Sequence, residues 1–340
     1  MSTSLSLALV GFWHVHAVDY ASQIQGAEGA QLVAAWDDDE ERGAEGAAAL
    51  GIPFTTDLDE LLARPDLDGI IVTTATTAHT DIIGRAIAAG KHVFTEKLLA
   101  PTVEECEQLI AAAEDAGVRL VVSLPRLTEG VTHAITSAIE DGTLGDVTYT
   151  RVRLAHDGSI AGWLPERFYA PADAVGGALT DLGCHAVYLT QLFLGATPET
   201  VSAVYSNVTG QQLEDNAVVT LRYPGGALAV IESSNVTTPG ASTIEVRGTK
   251  STLVFGFAGL GLLGKGTGFD EEKWVEVPAA GDDPLPILQW VATISGGEAM
   301  DVAANNAAAL ELTRLVQAAN AAASSGRTVD YSLPLPSTLG

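Results

Sequence analysis

Along the first third of the chain, apolar and polar positions follow two alternating periods. Short, largely apolar runs at 5–10 (LSLALV), 31–36 (QLVAAW), 69–74 (GIIVTT), 91–97 (KHVFTEK) and 118–123 (VRLVVS) read as strands, most of them buried on both faces. Residues 53–55 add a short extended piece. Between these runs, 15–26, 40–50, 57–63, 79–89 and 102–116 carry helical spacing. Two helix starts are written into side chains. Asp57 caps 57–63, and Thr102 with Glu105 three residues on forms a capping box. Strict alternation of strand and helix predicts a doubly wound parallel sheet with helices on both faces.

The pattern changes near residue 125. A helix at 128–141 leads through DGTLGDV into a strand at 147–155. A loop bearing Pro, Gly and aromatic residues covers 156–178, and a helix follows at 181–194. Strands at 201–208, 217–223, 227–235, 242–248 and 251–256 then come in close succession, with Pro224-Gly225-Gly226 as a hairpin loop. This predicts an open, mainly antiparallel sheet. The Gly-rich stretch 258–268 reads as a loop, 302–324 as a long Ala-rich helix, and 332–340 as a fraying tail. The fold class is therefore α/β, a Rossmann domain over 1–125 and an α+β domain over 126–340. The last helix is free to pack back on the first domain. A chain of 340 residues suits two domains of roughly 100–200 residues each.

Composition narrows the function. Apolar residues at 47% and charged residues at 18% exclude wholesale disorder. The charge sum, 17 − 43 = −26, repels phosphate backbones and anionic lipid, and so speaks against nucleic-acid and membrane partners. Cys106 and Cys184 form no CxxC pair, which suits a reducing cytoplasm. The N-terminus lacks a basic region before its apolar run, so no signal peptide is expected. No apolar stretch reaches the ~20 residues of a membrane span.

Chemistry begins at the turn after the first strand, Gly11-Phe12-Trp13-His14-Val15-His16. In a doubly wound sheet this place holds the dinucleotide fingerprint GxGxxG. Only its first glycine is present. The second lets backbone approach a pyrophosphate, so Trp13 must turn its side chain away. His16 stands in the place of the third. His14 and His16 have two readings: packing substitutes for glycine, or groups that reach substrate or pyrophosphate. The second strand ends at Asp37, ~20 residues past the turn, where an acid holds ribose hydroxyls. Asp38, Asp39, Glu40 and Glu41 follow. A 2′-phosphate among five carboxylates is repelled, so NAD(H) is expected in preference to NADP(H). Glu40 and Glu41 also suit a helix N-terminus.

Further motifs come in order: TATTAH at 74–79, Glu96-Lys97-Leu98, DGTLGDV at 141–147, and GGALTDLGCH at 176–185. Their types and spacing resemble the TPNxxH-like, EKP, sGxiGxv and GGGxxxDxGxH segments of the Gfo/Idh/MocA oxidoreductases, the inositol and glucose-fructose dehydrogenase family. The resemblance runs over nearly the whole chain. It implies NAD(P)-dependent oxidation or reduction of a sugar, polyol or derivative, and an open sheet that joins subunits into homodimers or homotetramers. It places Lys97, Asp181 and His185 on the catalytic trio and Glu96 on a nicotinamide-ribose contact. Arg126 falls on a cofactor- or substrate-facing position. Gly11, Phe12, Trp13, His14, Val15, Asp37, Thr74, Ala75, Thr76, His79 and Lys97 complete the implied cofactor set. The departures are Trp13 and His16 for glycines, Leu98 for the proline after the lysine, and Arg126-Leu127-Thr128-Glu129 without the usual proline.

Elementary chemistry supports these roles. A histidine, with an ordinary pKa of ~6.5, takes a hydroxyl proton near neutrality, which suits His185 as acid/base. Asp181 lies four residues earlier and shares its helix face, placed to orient the imidazole or contact a hydroxyl. The ammonium of Lys97 polarises the reacting oxygen and stabilises alkoxide charge. Asp181, Cys184 and His185 lack companion ligands, so no metal is expected. His79 begins a helix, as a structural group or a cofactor contact, and His92 reads as structural. In the loop 156–169, His156, Trp163, Arg167 and Tyr169 with Phe168 form either a wall for a sugar ring, together with Arg126, Asp181 and His185, or a lid or interface. Asp215 and Asn216 are expected at the same site. Three functions are compatible with these residues: a net dehydrogenase or reductase; an NAD-retaining lyase or glycosidase using transient oxidation; and a non-catalytic sugar- or nucleotide-binding homologue.

Overall fold

The computed structural model describes residues 4–195, 197–297 and 300–333; the expected fraying of the tail beyond 333 lies outside them. The chain forms two compact units. One holds the chain up to Leu124 with Pro284–Thr313, the other Pro125–Asp283 with the chain from Arg314.

The first unit is a six-stranded sheet. Its strands are β1 (Leu5–Val10), β2 (Ala30–Trp36), β3 (Phe54–Thr55), β4 (Gly69–Val72), β5 (His92–Thr95) and β6 (Leu120–Val122). The order is β3-β2-β1-β4-β5-β6, and every recorded pairing is parallel. Helices α1 (Ala17–Gln25), α2 (Glu40–Leu50), α3 (Leu58–Leu62), α4 (His79–Ala88) and α5 (Val103–Ala116) connect them. Leu7, Leu9, Ile71, Phe94 and Val121 are fully buried in its core. The two capping signals act as read: Asp57 accepts from Glu60 N at 2.9 Å, and Thr102 and Glu105 close their box. Helix α1 starts two residues later than expected, because the amide of His14 is bonded to Thr73 O at 2.9 Å. Winding reverses between β1 and β4, so their carboxyl ends open a crevice at the topological switch point.

The second unit contains α6 (Gly130–Glu140), β7 (Val147–Ala155), a short helix α7 (Gly158–Ala161), α8 (Cys184–Leu194), β8 (Thr200–Ser206), β9 (Asn216–Arg222), β10 (Leu228–Ser234), β11 (Ala241–Gly248), β12 (Ser251–Phe255), β13 (Leu263–Gly266) and β14 (Val275–Glu276). With β15 (Val329–Asp330) they form a nine-stranded sheet, antiparallel except where β10 runs parallel to β7. Helix α8 packs on β7 and β10. On β9, Ala217, Val219 and Leu221 point to that covered side, while Val218 on the other is 42% exposed. The stretch expected as a loop at 258–268 contains β13, which pairs with β12. Its glycines carry no side chains, which erases the alternation that marks a strand.

The first unit also takes in residues beyond the expected limit at 125, as the sequence allowed for the last helix. Helix α9 (Pro286–Ile294) and the first half of α10 (Val302–Ser325) belong to the first unit. Trp290 of α9 is fully buried with its ring centroid 5.8 Å from that of Phe94. Asn305 of α10 bonds Val122 N and O at 2.8 and 3.0 Å, satisfying the edge of β6. Cys106 Sγ lies 3.5 Å from Thr313 Oγ1. Among the described residues no helix is long and apolar enough to cross a membrane. Both cysteines are free and buried, and burial pushes the Cys106 thiol up to about 11.

Candidate active site

The carboxyl ends of β1, β4 and β5 carry the candidate residues of the first unit. Gly11 has φ +96°, and a Cβ there would stand 2.6 Å from Thr74 Cγ2 and 2.8 Å from Thr74 N. Only glycine closes this turn against β4. Thr73 Oγ1 ties the two loops further by donating to Gly11 O. Phe12 and Trp13 are buried, and Val15 is half-exposed. Thr74 is buried, whereas Ala75 and Thr76 reach the surface beyond it.

Asp37 behaves differently from a carboxylate waiting for ribose. It is fully buried. Its Oδ2 accepts from Phe12 N at 2.6 Å and Arg42 Nε at 3.0 Å; its Oδ1 accepts from Asp39 N at 2.8 Å and Arg42 Nη2 at 2.5 Å. All four acceptor positions are taken within the protein. Burial would raise its pKa, but Arg42 and the amides outweigh that and hold it below the usual carboxylate range. The acidic run is also less bare than its sequence, since Arg42 Nη2 reaches Asp38 at 2.6 Å. Arg42 escaped the sequence reading; its signal is the five-residue step from Asp37 across the start of α2.

Glu96 sits just past β5 with 1% of its surface exposed. Its Oε1 meets Tyr20 Oη at 2.5 Å and His16 Nδ1 at 2.7 Å; its Oε2 accepts from Lys97 N at 3.1 Å and lies 3.9 Å from Lys97 Nζ. Burial alone would raise the pKa of Glu96, but His14, Lys97 and His16 together hold it well below the usual range. Burial and the Glu96 charge push Tyr20 well above an ordinary phenol, so it stays a donor. Tyr20 Oη also lies 2.8 Å from Ser123 Oγ. The His14 and His16 rings, 4.5 Å apart, converge here and do more than replace glycine. The Lys97 side chain is buried, and the Lys97–Leu98 peptide is cis. His79 is fully buried, its Nδ1 donating to Leu98 O at 2.9 Å. Burial lowers its pKa, so it is a neutral strut for the lysine segment. His92 is likewise structural, accepting from Arg119 N at 2.9 Å.

The second unit carries the other candidates. Asp181 lies in a π-turn, Leu179–Gly183, that runs into α8. Glu214 builds the approach to this turn. Its Oε2 accepts from Gly177 N at 2.9 Å and its Oε1 from Leu179 N at 3.1 Å, while burial raises its pKa. A Cβ on Gly177 would come within 2.0 Å of Glu214 O, which explains that glycine. His185 is buried, with Nδ1 2.8 Å from Tyr188 Oη, and Tyr188 Oη accepts from Arg126 N at 3.1 Å. Tyr188 thus meets the imidazole at Nδ1. Tyr188 was legible only as an i,i+3 neighbour on the helix. Cys184 is packed, its thiol 3.2 Å from Asp181 O.

Several other expectations change. The Arg126 guanidinium pairs with Glu129 at 3.0 Å. In the 156–169 loop, His156 and Trp163 pack ring to ring at 4.7 Å, and Trp163 is 51% exposed. Arg167 lies over Phe168 at 6.0 Å, and both Phe168 and Tyr169 are buried. Tyr169 turns its hydroxyl to Ser159 Oγ at 2.6 Å. Of the expected wall, Trp163 alone is strongly exposed. Asp215 is fully buried and accepts from Val208 N and Thr209 N, both within 2.9 Å. It closes the 206–209 turn.

Comparison with known proteins gives the family of the chain. Residues 5–124 match the model of the oxidoreductase family with an NAD-binding Rossmann fold, and residues 132–254 match the Gfo/Idh/MocA C-terminal domain. The chain is 31% identical over 233 residues to a 1,5-anhydro-D-fructose reductase of Ensifer adhaerens, covering 67% of this chain and 69% of the relative. It is 27% identical over 243 residues to an inositol 2-dehydrogenase of Rhizobium meliloti, covering 69% and 70%. Among solved structures, GenD2 from gentamicin A biosynthesis, in complex with NAD, superposes with a TM-score of 0.82 at 27% identity over 97% of each chain. Sequence matches across both units, with a Gly11 turn that only glycine can close, make this chain a member of the Gfo/Idh/MocA family of NAD-binding oxidoreductases.

Proposed function

We propose that the protein is an NAD-dependent dehydrogenase or reductase acting on a secondary hydroxyl or keto carbon of a sugar, polyol or derivative. The observation that carries this reading is the pair Glu96–Lys97, buried at the carboxyl end of β5 beside the Gly11 turn. A buried ammonium 3.9 Å from a carboxylate is neutralised in place and remains a donor for a developing alkoxide. The names of the relatives, a reductase of an anhydrosugar and a dehydrogenase of inositol, support the substrate class.

The fit of a dinucleotide rests on Gly11, whose missing Cβ leaves the close approach to Thr74 open, and on the switch-point crevice. The turn 11–15, Thr74 to Thr76 and Glu96 would hold it, with Asp37 keeping Phe12 N and the end of β2 in register. When bound, the nicotinamide accepts or returns a hydride. Lys97 polarises the reacting oxygen. His185 takes or gives the hydroxyl proton; as base it donates Nδ1–H to Tyr188 Oη, which places the basic lone pair on Nε2. Asp181 contacts a substrate hydroxyl. NAD(H) is preferred over NADP(H): Arg42, the cation a 2′-phosphate would need, is already held by Asp37 and Asp38.

The test begins with protein purified without added cofactor, titrated with NADH and NADPH by fluorescence and then screened with sugars and polyols at the nicotinamide absorbance. NADH should bind more tightly than NADPH. Lys97→Ala and His185→Ala should each lower kcat by about 10²-fold or more while retaining NADH binding. Unchanged turnover in either variant removes the assigned roles.

A further inference from the structure

The surroundings of Glu96 contain more donor atoms than hydride transfer uses. His14 and His16 turn their Nδ1 atoms toward the same carboxylate oxygen: His16 Nδ1 is 2.7 Å and His14 Nδ1 3.6 Å from Glu96 Oε1. The three potential ligand atoms lie within 4.8 Å of one another. Two imidazoles and one carboxylate are the ligand set of an open four-coordinate zinc centre. In a tetrahedral site with bonds of about 2.0–2.2 Å, neighbouring donors stand roughly 3.4 Å apart. The His14 separation already matches that spacing, and the His16 contact needs to open by well under ~1 Å.

The local protonation pattern also suits a ligand. In the neutral ring His14 Nδ1 accepts the amide of His16 at 3.2 Å and carries the lone pair a metal requires, the metal taking the place of the proton that charges the ring beside Glu96. That bond is long and readily displaced. The carboxylate is divided between two tasks: Oε2 faces the Lys97 amide and ammonium, whereas Oε1 faces the imidazoles. Lys97 is therefore on the far oxygen from the proposed ion. Tyr20 Oη, 2.5 Å from Oε1, fixes the carboxylate's orientation as an outer partner. His14 and Glu96 are buried and form a rigid wall, while the His16 side chain is 38% exposed and gives the ion a way in.

We propose that His14, His16 and Glu96 form a binding site for one divalent transition-metal ion of the zinc class. Imidazole donors favour Zn²⁺ or Co²⁺ over the hard, oxygen-seeking Mg²⁺ and Ca²⁺. The site accounts for the sequence of the turn, in which histidines occur at 14 and 16 where the dinucleotide fingerprint needs none. It shares His14 and Glu96 with the residues proposed above to hold the dinucleotide, and its test reads metal uptake without any sugar or nicotinamide.

The full chain, stripped with a chelator, is titrated with Zn²⁺ by calorimetry and with Co²⁺ by visible absorption, with Mg²⁺ as the comparison ion. Wild type should take up one Zn²⁺ per chain, show the strong ligand-field bands of four-coordinate Co²⁺, and ignore Mg²⁺. His14→Ala and His16→Ala should each weaken Zn²⁺ binding by about tenfold or more. His133→Ala, on α6, should leave it unchanged. Because His14 is buried, thermal melts accompany each variant, and His16→Gln at the half-exposed position serves if His14→Ala fails to fold. Zn²⁺ uptake that is equal in wild type and the His16 variants, or no saturable uptake, overturns the proposal and leaves an ordinary imidazole–carboxylate pair.

Discussion

Tyr188 gives the residue scale its sharpest test. Its hydroxyl is the single atom between the Arg126 amide and His185 Nδ1, at 3.1 and 2.8 Å. Burial pushes it well above the ordinary phenol range, so it is a neutral partner at every working pH. Tyr188→Phe removes one hydrogen bond, worth about 1 kcal/mol or roughly a five- to tenfold change. If the tyrosine orients the proposed acid/base, kcat should fall by that factor with KM for NADH little changed, and the pH–rate profile should move. A fall in stability with an unmoved profile would make Tyr188 merely a packing residue. Asp37 offers a second test, in stability. Its pKa is depressed in the fold, so its contribution is fully present above the unfolded value of ~3.9 and is lost as pH falls through the folded value. Thermal melts from neutral to strongly acidic pH should show wild type losing stability faster than Asp37→Asn below about pH 4.

At the scale of elements, α9 shows how a short helix can complete a distant sheet. It follows the second unit in sequence and packs into the core of the first, with Ile287 and Trp290 fully buried. Trp290 Nε1 also donates to Arg119 O at 3.3 Å, so the indole is used by both its ring and its polar edge. Truncation leaves a large cavity beside Phe94. Trp290→Ala should cost about 3–5 kcal/mol of unfolding free energy, measured by denaturant titration. A cost below ~1 kcal/mol would mean that α9 is docked loosely and is no part of the core. The capping box at Thr102, in contrast, acts within its own helix and was readable without tertiary information.

On the whole molecule, the open side of the nine-stranded sheet bears Val204 at 72%, Val218 at 42% and Leu228 at 49% exposure. Apolar side chains along adjacent strands suit burial against a second copy. We propose that the chain associates through this face as a homodimer or homotetramer. Light scattering after size exclusion should give a multiple of the chain mass, and Val218→Asp with Leu228→Asp should give the monomer. A monomeric wild type would refute the proposal. The net charge of −26 bears on this assembly, since like-charged copies repel. Association should tighten with added salt as screening grows.

Local pattern was sufficient for the elements from β1 to β6, the two caps, the five strands from β8 to β12 and the order of the family motifs. Each depends on neighbours within a few residues, through hydrophobic period or cap geometry. Pattern missed α9, whose partners lie about 170–200 residues away, and β13, whose glycines hide the alternation. Pattern also could not tell whether Asp37, Asp215 and Tyr169 serve a ligand or the fold, because a carboxylate or phenol has the same sequence signature in both cases. Tertiary structure supplies their partners within the fold: Arg42 and two amides at Asp37, the 206–209 turn at Asp215, and Ser159 at Tyr169. The convergence of His14, His16, Tyr20 and Lys97 on Glu96 is likewise tertiary. It joins the end of β5 to a turn some 80 residues earlier, and no local period encodes a contact between the ends of two parallel strands that flank β4.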